Sequence, residues 1–441
     1  MRLLKRALGL PELEPVVARS FRREQITELT LPVATSPLEG GFVAVVAAKA
    51  FDVEPWVLAV ISASPMFGNL SSLAWNRVAA ARPKAPMIAA LQALVLVCVL
   101  MIALSPRTAF GAGLLVAAVI ASRMLIAGIV TVRSVIWSLN YGRTQRARLT
   151  GRLQLISSAI VVVTTSAASF ALDAHPDSFR WIYAGATLFG AVGVVAFSGV
   201  RVVGEKRHLV LERRLLKHED ARGGLLQILK NDKLYARYQL YQFTSGVAAM
   251  MLEPPLVFLV SKQMGASYMA SIGITLIIPF FLTLTTLPLW ARYLDRVHVV
   301  EYRAKQNALW LIGIMLMFWG AHQQSLLWLA AGRIVSSIVN AGGGLAWQLG
   351  HNDFAPKEQL SAYMGVHVML TGVRGAFAPF LGMALYVGWP ASALLFAFPG
   401  LGEWLFIASA ILAATAWQGF TRLRGDVREL ARTQRVAEKS L

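Results

Sequence analysis

Twelve apolar stretches follow one another through this 441-residue chain, and no other feature constrains its fold so tightly. A hydrocarbon core about 30 Å thick is crossed by about 20 apolar residues in a helix. The stretches run approximately 25–48, 55–75, 85–104, 109–140, 153–172, 181–199, 238–261, 267–290, 304–321, 324–349, 362–386 and 402–420. Inside lipid every backbone N–H and C=O must be satisfied within the structure itself, which leaves helices for apolar segments of this length. The fold class expected is therefore an all-α polytopic membrane protein of twelve transmembrane helices. Only 15% of residues are charged, against about 25% in soluble domains. The fourth stretch is long for one crossing, so it tilts or projects. Residues 387–401 are apolar but broken by prolines and read as an interfacial connection.

Lysine and arginine set the orientation. One side collects the N-terminal arginines, then Arg77, Arg82 and Lys84, then Arg143, Arg146, Arg148 and Arg152. It also takes the stretch 201–237, then Arg292, Arg296 and Arg303, and finally Arg422 to Arg435. The opposite loops hold Asp52, Glu54, Arg107, Asp173, Asp177 and Arg180. Both termini are thus expected in the cytoplasm, with a bacterial inner membrane favoured. The net charge of +19 is segregated into alternate loops, so it reads as topology rather than nucleic-acid binding. Residues 1–23 lack the apolar region and cleavage site of a signal peptide. Cys98 is the only cysteine, which excludes an intrachain disulfide or a cysteine metal cluster. No cofactor is expected.

Internal similarity divides the chain in two. Glu39 and Glu253, Glu28 and Gln242, Pro65 and Pro279, and Gly151 and Gly365 are each 214 residues apart, and Trp75-Asn-Arg77 precedes Trp290-Ala-Arg292 by 215. Arg123 and Arg333 sit in apolar stretches 210 apart, each with a tryptophan fourteen residues on. An arginine at the centre of a span costs roughly 2.5–3.5 kcal/mol on insertion scales, so it must face protein or water. Two six-helix halves in parallel orientation are the expected repeat: 24–200 and 238–421. A cytoplasmic segment 1–23, a central loop 201–237 and a tail 422–441 flank them. The central loop reads either as a helix along the membrane surface or as a solvated linker.

With twelve spans, cytoplasmic termini and a long basic central loop, the chain resembles the major facilitator superfamily. That family's loop between the second and third helices carries a glycine followed by Asp-Arg-x-Gly-Arg. The corresponding segments here end in Asn76-Arg77 and, in the second half, Asp295-Arg296. The resemblance implies cytoplasmic gating loops at these four residues, although Asn76 replaces the first aspartate. Arg123 is similar to the arginine of the fourth-helix motif. The proline-glycine antiporter motif of helix five is missing, and a loose echo stands at Gly375-Ala-Phe-Ala-Pro379 in span eleven.

Residues four, seven or eleven apart share a helix face. Arg333, Ser337, Asn340, Gly344 and Trp347 make one stripe; Arg123, Ser134 and Trp137 another, with Arg133 off it. Span one offers Glu28, Thr35 and Glu39; span seven Gln242, Gly246 and Glu253; span eleven His367, Thr371 and Arg374. The resemblance implies that helices one, four, seven and ten line the cavity. The candidate solute-binding or coupling residues are Glu39, Arg123, Glu253, Arg333, Asn340 and Arg374. The two glutamates are read as proton carriers or solute contacts, or alternatively as structural partners of Arg123 and Arg333. His367 reads as a satisfied polar residue rather than a relay.

The function expected is secondary transport of a small anionic or zwitterionic solute by alternating access, with proton coupling through Glu39 or Glu253. Arginine suits such solutes because its planar fork binds carboxylate or phosphate bidentately. The protein is expected to act as a monomer in membrane lipid. Alternatives are a drug or amphipathic-lipid exporter and a non-transporting membrane sensor. An enzyme is not expected, and the absence of a Gly-x-x-x-x-Gly-Lys-Ser/Thr loop argues against ATP-driven transport.

Overall fold

The structure, a computed structural model, describes residues 13–215, 225–356, 359–392 and 397–439. Residues 1–12 of the amino-terminal segment and 216–224 of the central loop lie outside the described residues. The first half comprises α1 (Pro15–Thr35), α2 (Gly40–Ala50), α3 (Pro55–Ala79), α4 (Lys84–Leu104), α5 (Ala109–Asn140), α6 (Arg143–Ala174) and α7 (Phe179–Ser198). The connection supplies α8 (Glu205–Leu215) and α9 (Leu225–Asn231). The second half comprises α10 (Lys233–Met250), α11 (Glu253–Phe258), α12 (Tyr268–Ile272), α13 (Ile278–Leu294), α14 (Val299–His322), α15 (Leu326–Asn340), α16 (Gly343–Leu349), α17 (Leu360–Val387) and α18 (Trp404–Lys439).

Among the described residues, eight helices are long and apolar enough to cross a membrane, and a pair bent by 45°, Pro15–Leu38 and Gly40–Ala50, makes a ninth. Three further helices stand where spans are expected. Two have the length: α3 has 25 residues, and α14 has 24 but opens on Glu301, Arg303 and Lys305. The third, α15, is apolar but 15 residues long. Among the described residues, length and composition therefore single out up to nine of the twelve spans expected. The first helix begins at Pro15, ahead of the expected boundary, and the last runs on to Lys439. The 387–401 connection closes on itself through an antiparallel Trp389–Phe398 bridge.

The surface is apolar where a soluble protein would be polar. Trp181, Leu188, Val195 and Leu327 are all more than 70% exposed, whereas Glu24, Arg123, Arg303 and Arg374 are buried. That inversion is the pattern of a bundle whose solvent is lipid.

The repeat is visible in contacts. Trp75 Nε1 donates to the Met124 carbonyl at 2.8 Å, and Trp290 Nε1 to the Ile338 carbonyl at 2.5 Å. Each indole packs on a glycine, Gly128 or Gly342, where no side chain would fit. Both accepting carbonyls and both glycines are 214 residues apart. Arg123 and Arg333, at 210, are thus one helical turn out of register, about 6 Å along the axis.

The halves meet where α3 packs on α17 and where α6 packs on α12 and α13. At the face away from the basic loops they are tied by polar contacts. Lys262 pairs with Asp52, Lys49 Nζ donates to the Ala266 carbonyl at 2.8 Å, and Asp173 accepts from the Tyr268 and Met269 amides at 2.6 and 3.0 Å. The first half's core extends here to Val257, Tyr268, Ile272 and Leu276 of the second. Toward the basic face α6 and α13 separate around a pocket of about 730 Å³, lined by Leu155 and Ser158 on one side and Phe280, Thr283 and Leu287 on the other.

Candidate functional site

Two helix breaks place two carboxylates. Pro37 has no N–H, so α1 ends in a short 3-10 turn, and Glu39 is extended at φ −62°, ψ 137° before α2 begins. In the seventh stretch the interruption is milder: Met251 and Leu252 form a turn that keeps helical dihedrals, and Glu253 opens α11 just before Pro254 and Pro255. Each glutamate meets an arginine end-on, through both terminal nitrogens. Arg123 Nη1 and Nη2 donate to Glu39 at 3.3 and 3.1 Å; Arg333 Nη1 and Nη2 donate to Glu253 at 2.9 and 3.1 Å. Each arginine also bonds a carbonyl released from its helix. For Arg123 it is Leu38 O at 2.6 Å, freed by the extended Glu39. For Arg333 it is Thr275 O at 3.3 Å, whose usual helical donor four residues on is Pro279.

The four charged candidates therefore form two matched pairs, one per half, rather than one shared cluster. Between them lies Thr275, whose hydroxyl is shared between the Ser271 carbonyl at 2.8 Å and, across the halves, the Gly41 carbonyl at 3.0 Å. Both carboxylates remain partly exposed, the Glu39 side chain 31% and Glu253 44%, and neither pair lines the 730 Å³ pocket.

Arg374 and Asn340 lie apart from the pairs, at a cavity of about 210 Å³ within the second half. Arg374 Nη1 donates to the Gln242 carbonyl at 2.6 Å, with the guanidinium in space that Gly246 leaves open. Asn340, exposed at the rim, accepts from Gln306 at 3.1 Å. Arg303 also lines this cavity; its place near a loop boundary makes it look like one more topological charge, yet it is 5% exposed. The signal that could have found it is polar residues three and four positions on, Gln306 and Asn307, on the same face. His367 Nδ1 bonds Gln239 at 3.1 Å and its ring lies 5.3 Å from that of Trp347, tilted by 50°.

Sequence reasoning also passed over Glu24, whose carboxylate accepts from Tyr141 Oη and Trp137 Nε1, both at 2.6 Å. Glu28 belongs with this cluster, paired to Arg133, and not with the stripe that includes Glu39. Arg133, set aside in the helical reading, covers the Trp137 ring at 4.9 Å.

Of the gating-loop candidates, Asn76 ends α3 with its side chain outside the described atoms. Arg77, Asp295 and Arg296 are exposed, and none makes an ion pair among the described residues. The loop between α3 and α4 is held instead by α8. Glu212 accepts from Lys84 Nζ at 2.7 Å and from the Ala81 amide at 2.8 Å, and Glu205 accepts from the Lys84 amide at 2.8 Å.

No family model and no curated relative matches the sequence. Solved structures do match. A mutant form of the nucleoside transporter NupG superposes with a TM-score of 0.69 at 10% identity, over 92% of this chain and 99% of that one. A POT family transporter in complex with a thioalcohol-conjugated peptide gives 0.66 at 11%, over 94% and 96%. A D-xylose-proton symporter gives 0.65 at 14%, over 92% and 97%. The chain has the major facilitator fold.

Proposed function

We propose that the chain is a secondary transporter of a small anionic or zwitterionic solute, working by alternating access and captured open toward the basic, cytoplasmic face. One observation carries this reading: the halves are tied across one face and parted at the other. Rocking the halves to the opposite state requires Asp52–Lys262 and the Asp173 contacts to release, while α6 and α13 close over the pocket between them. Neighbours with this fold that are named for carrying nucleosides, a sugar with protons, or peptides support the class of activity.

The matched pairs give such a cycle an ionic means of coupling. A bound proton on Glu39 or Glu253 would release its arginine, and the Thr275–Gly41 contact lies between the two pairs. The protein is proposed to act as a monomer in an inner membrane, with both termini cytoplasmic and no cofactor.

Uptake into proteoliposomes under an imposed pH gradient tests the reading. Gradient-driven accumulation that fails in Glu39→Gln supports it; equal gradient-independent flux in wild type and variant refutes the coupling. A second reading, export of an amphipathic compound, is favoured by the apolar walls of the 730 Å³ pocket. Stabilisation by hydrophobic cations but not by small anions would select it.

A further inference from the structure

The two halves are unequal in their buried charge. In the first half every described deep arginine has a carboxylate: Arg123 has Glu39, and Arg133 has Glu28. At the position 214 residues beyond Glu28 the second half carries Gln242, which is neutral. Beside it stand Arg303 and Arg374, each 5% exposed.

Neither of these two makes an ion pair among the described residues. Arg303 donates to Gln306 Oε1 at 2.7 Å and to the Gly343 carbonyl at 3.3 Å, Arg374 to the Gln242 carbonyl at 2.6 Å. The Nε of each, buried, has no partner. Buried charges are ordinarily paired, because uncompensated burial is costly. Two guanidiniums within electrostatic reach compound that cost. The partner of Glu28, Arg133, is likewise replaced, by Trp347, whereas Arg303 and Arg374 stand where the first half has Ala89 and Ile160. The second half thus adds two buried positive charges that no carboxylate among the described residues pairs.

Both arginines line the same cavity, with Gln306, Asn307, Asn340 and Trp347 around them. Its volume, about 210 Å³, is below the roughly 300–1,000 Å³ of pockets for drug-sized ligands. Guanidiniums present paired N–H donors that match the oxygens of carboxylate and phosphate. We propose that this cavity is a binding site for a small soluble carboxylate or phosphate anion, held between Arg303 and Arg374. That the anion is the cargo rests on the transporter reading; that it binds here does not.

The test is calorimetric titration of the purified full-length protein with malonate and with inorganic phosphate, with glycerol and choline as neutral and cationic controls. Wild type is expected to bind at least one anion and neither control. Arg303→Gln and Arg374→Gln are each expected to weaken that binding about ten- to a hundredfold, the worth of a charge-assisted hydrogen bond. Gly246→Ala, whose Cβ would sit 2.3 Å from the Arg374 guanidinium, is expected to weaken it too. Arg107→Gln, on the opposite face, is expected to leave it unchanged. The unliganded Arg374→Gln protein is expected to melt no lower than wild type, since an uncompensated charge is relieved. A lower melting temperature with anion affinity intact would make Arg374 structural and overturn the site. So would failure of both anions to bind, even if a neutral or cationic solute is transported. Anion binding that needs both arginines, without anion flux in proteoliposomes, leaves the site standing and refutes transport.

Discussion

The Thr275 hydroxyl is shared between the Gly41 carbonyl at 3.0 Å and the Ser271 carbonyl at 2.8 Å, while the Thr275 carbonyl accepts from Arg333. One residue thus touches both halves and one of the two ion pairs. Thr275→Val keeps the shape and removes the donor. It is expected to shift the population away from the state open to the basic face. Spin labels at Ser158 and Thr283, on the facing walls of α6 and α13, report this as a shorter distance distribution; an unchanged distribution would deny Thr275 a coupling role.

The Glu–Arg pairs predict an asymmetry of loss. Glu253→Gln leaves Arg333 without its carboxylate, a change worth about 3–5 kcal/mol where a pair is fully buried. The Glu253 side chain is 44% exposed, so solvent screening reduces this to about 1–2 kcal/mol. The double variant Glu253→Gln with Arg333→Gln removes the stranded charge as well. It is expected to melt above Glu253→Gln alone, in thermal unfolding followed by tryptophan fluorescence.

Asp173→Ala removes the acceptor for two amides that tie the halves on the face opposite the basic loops. The single native cysteine, Cys98, is buried, so a Cys98→Ala background suits labelling. A cysteine at Ala270 is expected to react with an impermeant maleimide several-fold faster from that face once Asp173 is replaced. Equal rates would place the closing force elsewhere.

The α8 clasp predicts a dependence on acid. Burial opposes ionisation of Glu212, but the Lys84 hydrogen bond, the Ala81 amide and the Lys84 and His208 charges outweigh it and hold its carboxyl below the ordinary 4.5. A carboxylate depressed in the folded state stabilises fully above its ordinary value and loses that contribution as pH falls through the folded one. The clasp is therefore expected to be intact at neutral pH and to weaken below about pH 4.5. Limited proteolysis near α8 reads this directly, and Lys84→Ala is expected to show the same exposure at neutral pH.

Much of this architecture is written in the sequence because lipid imposes simple rules on length and loop charge. The glutamates beside prolines and the arginines in apolar stretches point to Glu39, Glu253, Arg123 and Arg333 before any fold is known. Their partnership is less legible: residues 80 and 84 apart are brought together only by packing. Arg333 also lies one turn off the repeat, which helical spacing alone cannot register against Trp290 and Gly342. Arg303 is harder still. A basic residue at a helix end normally serves topology, and only the bundle shows that it turns inward beside Arg374. The equivalence of Glu28 and Gln242 is visible in the offset, but its meaning depends on Arg133 reaching Glu28.

Asp173 grips main-chain N–H groups, which every residue but proline possesses. Tyr268 is held in the core by its own side chain, but the side chain at position 269 is accordingly free to vary without loosening that grip. From that side of the contact, the one coded substitution that deletes a donor outright is to proline, so Met269→Pro should mimic Asp173→Ala where Met269→Leu does not.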